Sequence, residues 1–215
     1  MNETTIQPGR HRAGHPDHRL LFEMAAEQGG FFTARQAHDA GFSTELIKYH
    51  ARRGRFRPVH RMIGVYRLRD FPATPDEALW AAWMRLGPKT VISHASALRL
   101  HNLSDVAPDA IHVWVPYTKR PRMRRSVPQG VRVHVARTEL RPREVTRVGG
   151  LPVTTPVRTL VDVADGGINP EQVVLAIKQA LDRGWITAAS FRQAARARGA
   201  RFTERVEQFL REAAA

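Results

Sequence analysis

The chain contains no cysteine, which excludes disulfides, cysteine-ligated zinc and iron–sulfur clusters. Lysine is scarce, so the 34 basic residues are nearly all arginine. Acidic residues number only 20, leaving a net charge of +14 and a pI near 11.4. Nothing approaches the roughly 18 consecutive apolar residues that cross a bilayer, and residues 1–20 show no signal-peptide pattern. These absences predict a cytoplasmic protein with no membrane partner. Its charge favours a polyanion, and arginine's planar fork suits phosphate and guanine. At 215 residues the chain can bury the core of one or two domains, and no internal repeat is visible.

Residues 33–68 are the most informative. Thr33 is placed to N-cap a short helix over 34–40, Gly41 follows where a left-handed residue ends a helix, and Ser43 can cap a second helix over 44–53 that Gly54 closes. Two short helices joined by a glycine-containing turn are the helix–turn–helix signal. Phe56, Val59, Val65 and Tyr66 then suggest two strands around a turn near Gly64, with Arg55, Arg57, Arg61 and Arg67 interspersed. A hairpin lying against phosphates would use those arginines. On a 3.6-residue period Ile47 and Ala51 share one face of the second helix, flanked by Leu46 and His50, while Thr44, Lys48, Tyr49 and Arg52 fall towards the other. Thr44, Glu45 and Lys48 are candidates for base edges. Lys48, Tyr49 and Arg52 are placed in the major groove, and Arg52, Arg53, Arg55, Arg57 and Arg61 are candidates for phosphates.

The expected fold class is α+β, in two domains. Residues 16–71 form a winged helix–turn–helix whose first helix spans 16–28, preceded by a polar arm over 1–15 that shows no periodicity and reads as a frayed terminus. Phe71-Pro72-Ala73-Thr74-Pro75 reads as a linker. Residues 76–215 form a small mixed α/β domain with a helical C-terminal end. There, helices are predicted over 76–86 and 94–103, the second capped by Ser93; strands over 111–115, 131–135 and 151–154; and helices over 156–164, 170–182, 187–198 and 203–214. Lys119, Arg120, Arg122, Arg124 and Arg125 stand close together between the first two strands. They read as a candidate nucleic-acid-binding loop or, equally, as a solvated hairpin tip.

Catalysis is not expected. Ser93, His94 and Asp162 hold the ingredients of a nucleophilic triad, but Ser93 suits an N-cap and an adjacent Ser–His pair should diverge. Arg158 and Asp162 stand at i and i+4 and most simply pair with each other. His94 and His101 lie two turns apart and His112 and His134 fall on neighbouring strands, without the carboxylate spacing of a helix-borne zinc site. No Asp followed closely by Glu-x-Lys suggests a nuclease, and Gly149-Gly150 and Gly166-Gly167 lack the context of a phosphate-cradling loop. No metal and no cofactor are expected.

The winged segment, followed by Val91-Ile92-Ser93-His94-Ala95-Ser96-Ala97-Leu98 and then by Leu151-Pro152-Val153-Thr154-Thr155-Pro156-Val157-Arg158-Thr159-Leu160-Val161-Asp162, resembles the AbiEi family, the antitoxins of type IV toxin–antitoxin systems. The resemblance implies a transcriptional autorepressor that binds double-stranded DNA at inverted repeats in its own promoter. It also implies a C-terminal domain that counters a nucleotidyltransferase-like toxin without a stable complex. Two departures stand out. His50 occupies a position usually aliphatic in the family's recognition helix, which predicts altered packing or tilt, and the wing tip, His60-Arg61-Met62-Ile63-Gly64, is longer and more apolar than the family's short turn. Two rival readings are a stand-alone transcription factor with a ligand-sensing second domain, and an RNA-binding module that shields the toxin's RNA target.

Overall fold

A computed structural model describes residues 15–119, 127–136, 139–166 and 168–214. The chain divides into two compact units, one ending at Arg85 and the other beginning at Leu86.

The first unit follows from its caps. Asp17 accepts from Leu20 N at 2.9 Å and starts α1 (His18–Ala26). Strand β1 (Phe31–Thr33) leads directly into α2 (Ala34–Asp39), where Thr33 and Gln36 form a reciprocal capping box. Ser43 Oγ accepts from Leu46 N at 3.1 Å to open α3 (Thr44–Arg52). Strands β2 (Phe56–Pro58) and β3 (Val65–Leu68) complete an antiparallel sheet in the order β1-β3-β2. Its core joins Leu21, Ala25, Phe32, Ala37, Phe42, Ile47 and Phe56. This is the winged helix–turn–helix expected from the sequence, with β1 as an added third strand.

Helix α4 (Glu77–Leu86) groups with this unit up to Arg85, one helix later than the linker at residues 71–75 suggests. Two contacts account for it. Arg67 pairs with Glu77 at 3.1 Å, and the indole of Trp80 lies so close to Gly29 that a Cβ there would meet its Nε1 at 2.9 Å. Gly30 is tighter still. Its φ is +86° and a Cβ would stand 2.5 Å from the Phe71 ring, so Gly30→Ala is expected to lower stability by about 2 kcal/mol. Urea denaturation would show this as a lower midpoint, with Gly54→Ala, where a Cβ meets nothing within 4 Å, as the smaller-effect control.

The second unit is a five-stranded mixed sheet in the order β6-β5-β4-β8-β7. Its strands are β4 (Val91–Ile92), β5 (Ile111–Pro116), β6 (Val131–Ala136), β7 (Val145–Val148) and β8 (Leu151–Thr154). Helices α5 (His94–Leu100), α6 (Pro156–Ala164), α7 (Pro170–Asp182), α8 (Ala188–Arg196) and α9 (Ala200–Ala214) pack around Leu98, Leu160, Ile177, Phe191 and Phe209. Strands β5 and β6 are parallel, Ile111 standing beside Val131 and Val115 beside Val135. That overturns the hairpin-tip reading of the segment between them, because parallel neighbours are joined by a crossover. Of the basic residues in that segment, Arg120, Arg122, Arg124 and Arg125 lie outside the described residues, and Lys119 ends a 3-10 turn at Tyr117–Lys119.

Candidate nucleic-acid interface

Helix α3 has one face in the core and one in solvent. Ile47 and His50 are buried, while Thr44, Glu45, Lys48, Tyr49, Arg52 and Arg53 are all exposed. His50 takes the place of an aliphatic residue by packing its ring among others: Phe56 at 4.8 Å, His18 at 5.5 Å and Phe42 at 6.0 Å between centroids. Burial, then His18 and Arg55, depress its pKa, so the imidazole packs there as a neutral aromatic. Across the exposed face Arg53 lies over the Tyr49 ring, 5.6 Å from its centroid. That contact limits how freely either side chain can move.

Arg55, Arg57 and Arg61 are exposed on and beside the hairpin. Arg67 is not. Only 6% exposed, it donates to the carbonyls of Phe71, at 2.8 Å, and Pro72 and pairs with Glu77. This corrects its reading as a wing arginine: it pins the chain that leaves the wing. The tip is held by Met62 N to Val59 O and Val65 N to Met62 O. Met62 turns inward at 7% exposure, whereas Ile63 projects at 85%, so the apolar tip splits into an anchor and an exposed side chain.

A second polar constellation lies inside the C-terminal unit. Ser93 stands at the start of α5 but makes no side-chain cap. Its Oγ instead meets His94 Nδ1 at 3.0 Å, so the expectation that these two side chains diverge is corrected. His94 stands at φ +50°, in the left-handed region that few residues other than glycine adopt. The ring stacks on His134 with centroids 3.5 Å apart, and His134 Nε2 meets His112 Nδ1 at 3.1 Å. Burial is the main cause that lowers the pKa of His94 and His134 to about 3, with neighbouring imidazoles adding to it and Arg198 and Arg158 acting further on His94. His112 is lowered by burial and by Arg132, against the pull of Asp109. His101 is also lowered by burial, and its Nε2 meets Thr154 O at 2.8 Å.

Beside this cluster Arg158 and Asp162 form their expected pair at 3.0 Å, within a larger network. Arg158 also reaches Glu144 at 2.8 Å, and Arg198 binds Asp162 and, at 2.7 Å, Asp165. Burial pushes the Asp162 carboxyl up while the two guanidiniums pull the other way. Burial also opposes the charge on Arg158, but Asp162 and Glu144 outweigh it and raise its pKa. Glu144 stays low because the Arg141 N–H and Arg158 overcome its burial. The network borders a cleft of about 950 Å³ whose lining includes Arg141, Arg143, Arg158, Trp185 and Arg198. Sequence spacing could suggest the Arg158–Asp162 pair; nothing local points to Arg198 or Trp185. Among the described residues no group of three or more His, Asp or Glu side chains is arranged to hold a metal ion, and no helix is long and apolar enough to cross a membrane.

Comparison with known proteins aligns with these two regions. A family described as transcriptional regulator, AbiEi antitoxin, matches residues 19–69, and the AbiEi antitoxin C-terminal domain matches residues 90–212. The crystal structure of the Rv2827c protein from Mycobacterium tuberculosis is similar in fold, with TM-score 0.59 and 18% sequence identity, covering 91% of this chain and 76% of that one. No curated protein matches the chain.

Proposed function

The chain belongs to the AbiEi antitoxin family, and from that premise we propose that it is a sequence-specific DNA-binding autorepressor of its own operon. It acts in the cytoplasm and counters a nucleotidyltransferase-like toxin without forming a stable complex with it. It has no catalytic activity of its own. One observation carries the DNA reading. The second helix of a helix–turn–helix buries Ile47 and His50 while presenting Thr44, Lys48, Tyr49, Arg52 and Arg53 to solvent, and the adjoining hairpin exposes Arg55, Arg57 and Arg61. An element with one anchored face and one basic face is what the major groove accepts, and guanidiniums beside it meet the flanking phosphates.

The test is a gel-shift titration with duplex from directly upstream of the protein's own gene, against a scrambled duplex, at two salt concentrations. Lys48→Ala and Arg52→Ala are each expected to weaken binding to the native duplex by roughly 1–3 kcal/mol and to narrow its advantage over the scrambled one. Arg55→Ala, Arg57→Ala and Arg61→Ala should weaken both duplexes alike, each reducing the salt slope by about one unit. Equal affinity of wild type for both duplexes would defeat the repressor reading.

A further inference from the structure

The arginine-lined cleft of the C-terminal unit has no part in the DNA-binding reading, and its construction is specific. Beneath the lining residues Arg158 and Arg198 a single carboxylate, Asp162, 2% exposed, accepts from both of them. Two guanidiniums are thereby fixed side by side before any ligand arrives, which removes the entropy cost of ordering them. Nη2 of Arg158 and Nε of Arg198 take no part in these bonds. Arg141 and Arg143 add two exposed guanidiniums to the same lining. Planar forks of this kind match the oxygens of a phosphate.

Charge alone would describe a bare anion site, but two further features narrow the ligand. Trp185 lines the cleft while 46% exposed, with Arg183 over its ring at 5.1 Å. A large aromatic surface left in water beside arginines is the pairing that holds a base and a phosphate together. The lining also includes Glu139 and Glu144. Glu144 is held by Arg158 and the Arg141 N–H, whereas the exposed Glu139 carboxylate would repel a ligand that is anionic throughout, yet accept from hydroxyl or amino groups such as a ribose and base provide. The volume, about 950 Å³, exceeds what a free phosphate fills several-fold and lies within the range of small-ligand sites.

We propose that this cleft is a nucleotide-binding site, in which Arg141, Arg143, Arg158 and Arg198 take the phosphate and Trp185 stacks against the base. The ligand is either a free mononucleotide or the phosphorylated end of an RNA strand, and the site operates independently of the winged surface.

The test uses the full chain in isothermal titration calorimetry. Each nucleoside 5′-monophosphate is titrated in turn, alongside unphosphorylated nucleosides, inorganic phosphate, and a short oligoribonucleotide with either a 5′-phosphate or a 5′-hydroxyl. At least one phosphorylated nucleotide or strand should bind saturably, with nucleosides and phosphate weaker by roughly tenfold or more. The Trp185→Ala variant and the Arg141→Ala/Arg143→Ala double variant should each lose roughly tenfold in affinity. All three residues are exposed, and unchanged far-UV circular dichroism would confirm that the variants fold. Mononucleotide binding with no effect of the oligonucleotide identifies the free nucleotide; binding of the oligonucleotide that requires its 5′-phosphate identifies the strand end. No saturable binding by any nucleotide or strand into the millimolar range would overturn the proposal. So would binding that both variants leave unchanged.

Discussion

Asp162→Ala should lower the unfolding free energy by about 3 kcal/mol, the largest loss of any single carboxylate among the described residues. The reason is position rather than count. Asp162 is 2% exposed and is bound by Arg158 from its own helix and by Arg198, 36 residues further on. Removing one partner from a buried ion network leaves guanidiniums desolvated without compensation, which costs about 3–5 kcal/mol. Arg158 retains Glu144 and Arg198 retains Asp165, and Arg198 is 26% exposed, which sets the expectation at the lower end. Asp165→Ala is the matched control. That side chain is 55% exposed, so its loss should cost under about 1 kcal/mol. Chemical denaturation of both variants decides it, and equal losses would mean that Asp162 is not the hub of the network.

Acidification from about pH 7.5 to about pH 5 should destabilise the protein before ordinary carboxylates titrate. In the folded chain the pKa values of His94 and His134 are lowered to about 3, and that of His112 is also lowered. The unfolded chain therefore takes up protons below about pH 6.5 that the folded chain does not, so stability rises with pH through this window. The contribution is complete above about pH 6.5 and is lost progressively as pH falls toward the folded value near 3. Each imidazole adds a slope of up to about 1.4 kcal/mol per pH unit. Among the described residues the groups facing the cluster point the same way on balance: Arg132, Arg158 and Arg198 disfavour protonation, while Asp109 and Asp162 favour it. Denaturant titrations at the two pH values would measure the loss. His134→Asn should flatten the dependence, because it removes one imidazole and the ring on which His94 stacks; an unchanged slope in that variant would locate the acid sensitivity elsewhere.

The elements of this chain differ in how far their residues disclose them. Helices α2 and α3 were legible because Thr33, Gly41, Ser43 and Gly54 mark their ends, and such caps act within four residues of the backbone they satisfy. Strands β1 and β4 were not, being three and two residues long, too short for any alternation to register. Strand β6 was legible but its direction was not: Val131 to Val135 alternate in the same way whether they lie parallel or antiparallel to β5. Arg67 and Arg57 look alike as arginines in a basic hairpin, yet one is buried against the carbonyls of Phe71 and Pro72 and the other faces solvent.

Local information alone therefore determined the winged helix–turn–helix, the exposed basic face of α3, the Arg158–Asp162 pair and the α+β class, each set by caps, periodicity and spacing along short stretches of chain. The family was legible from the resemblance of three sequence blocks spread along the chain. Tertiary structure decided which arginines are structural, where His50 goes, the meeting of Ser93 with His94 and of His94 with His134, and the cleft that joins Arg141 to Arg198. Those depend on strand order and helix packing that bring together residues tens of positions apart, and side-chain spacing along a sequence carries no record of such distances.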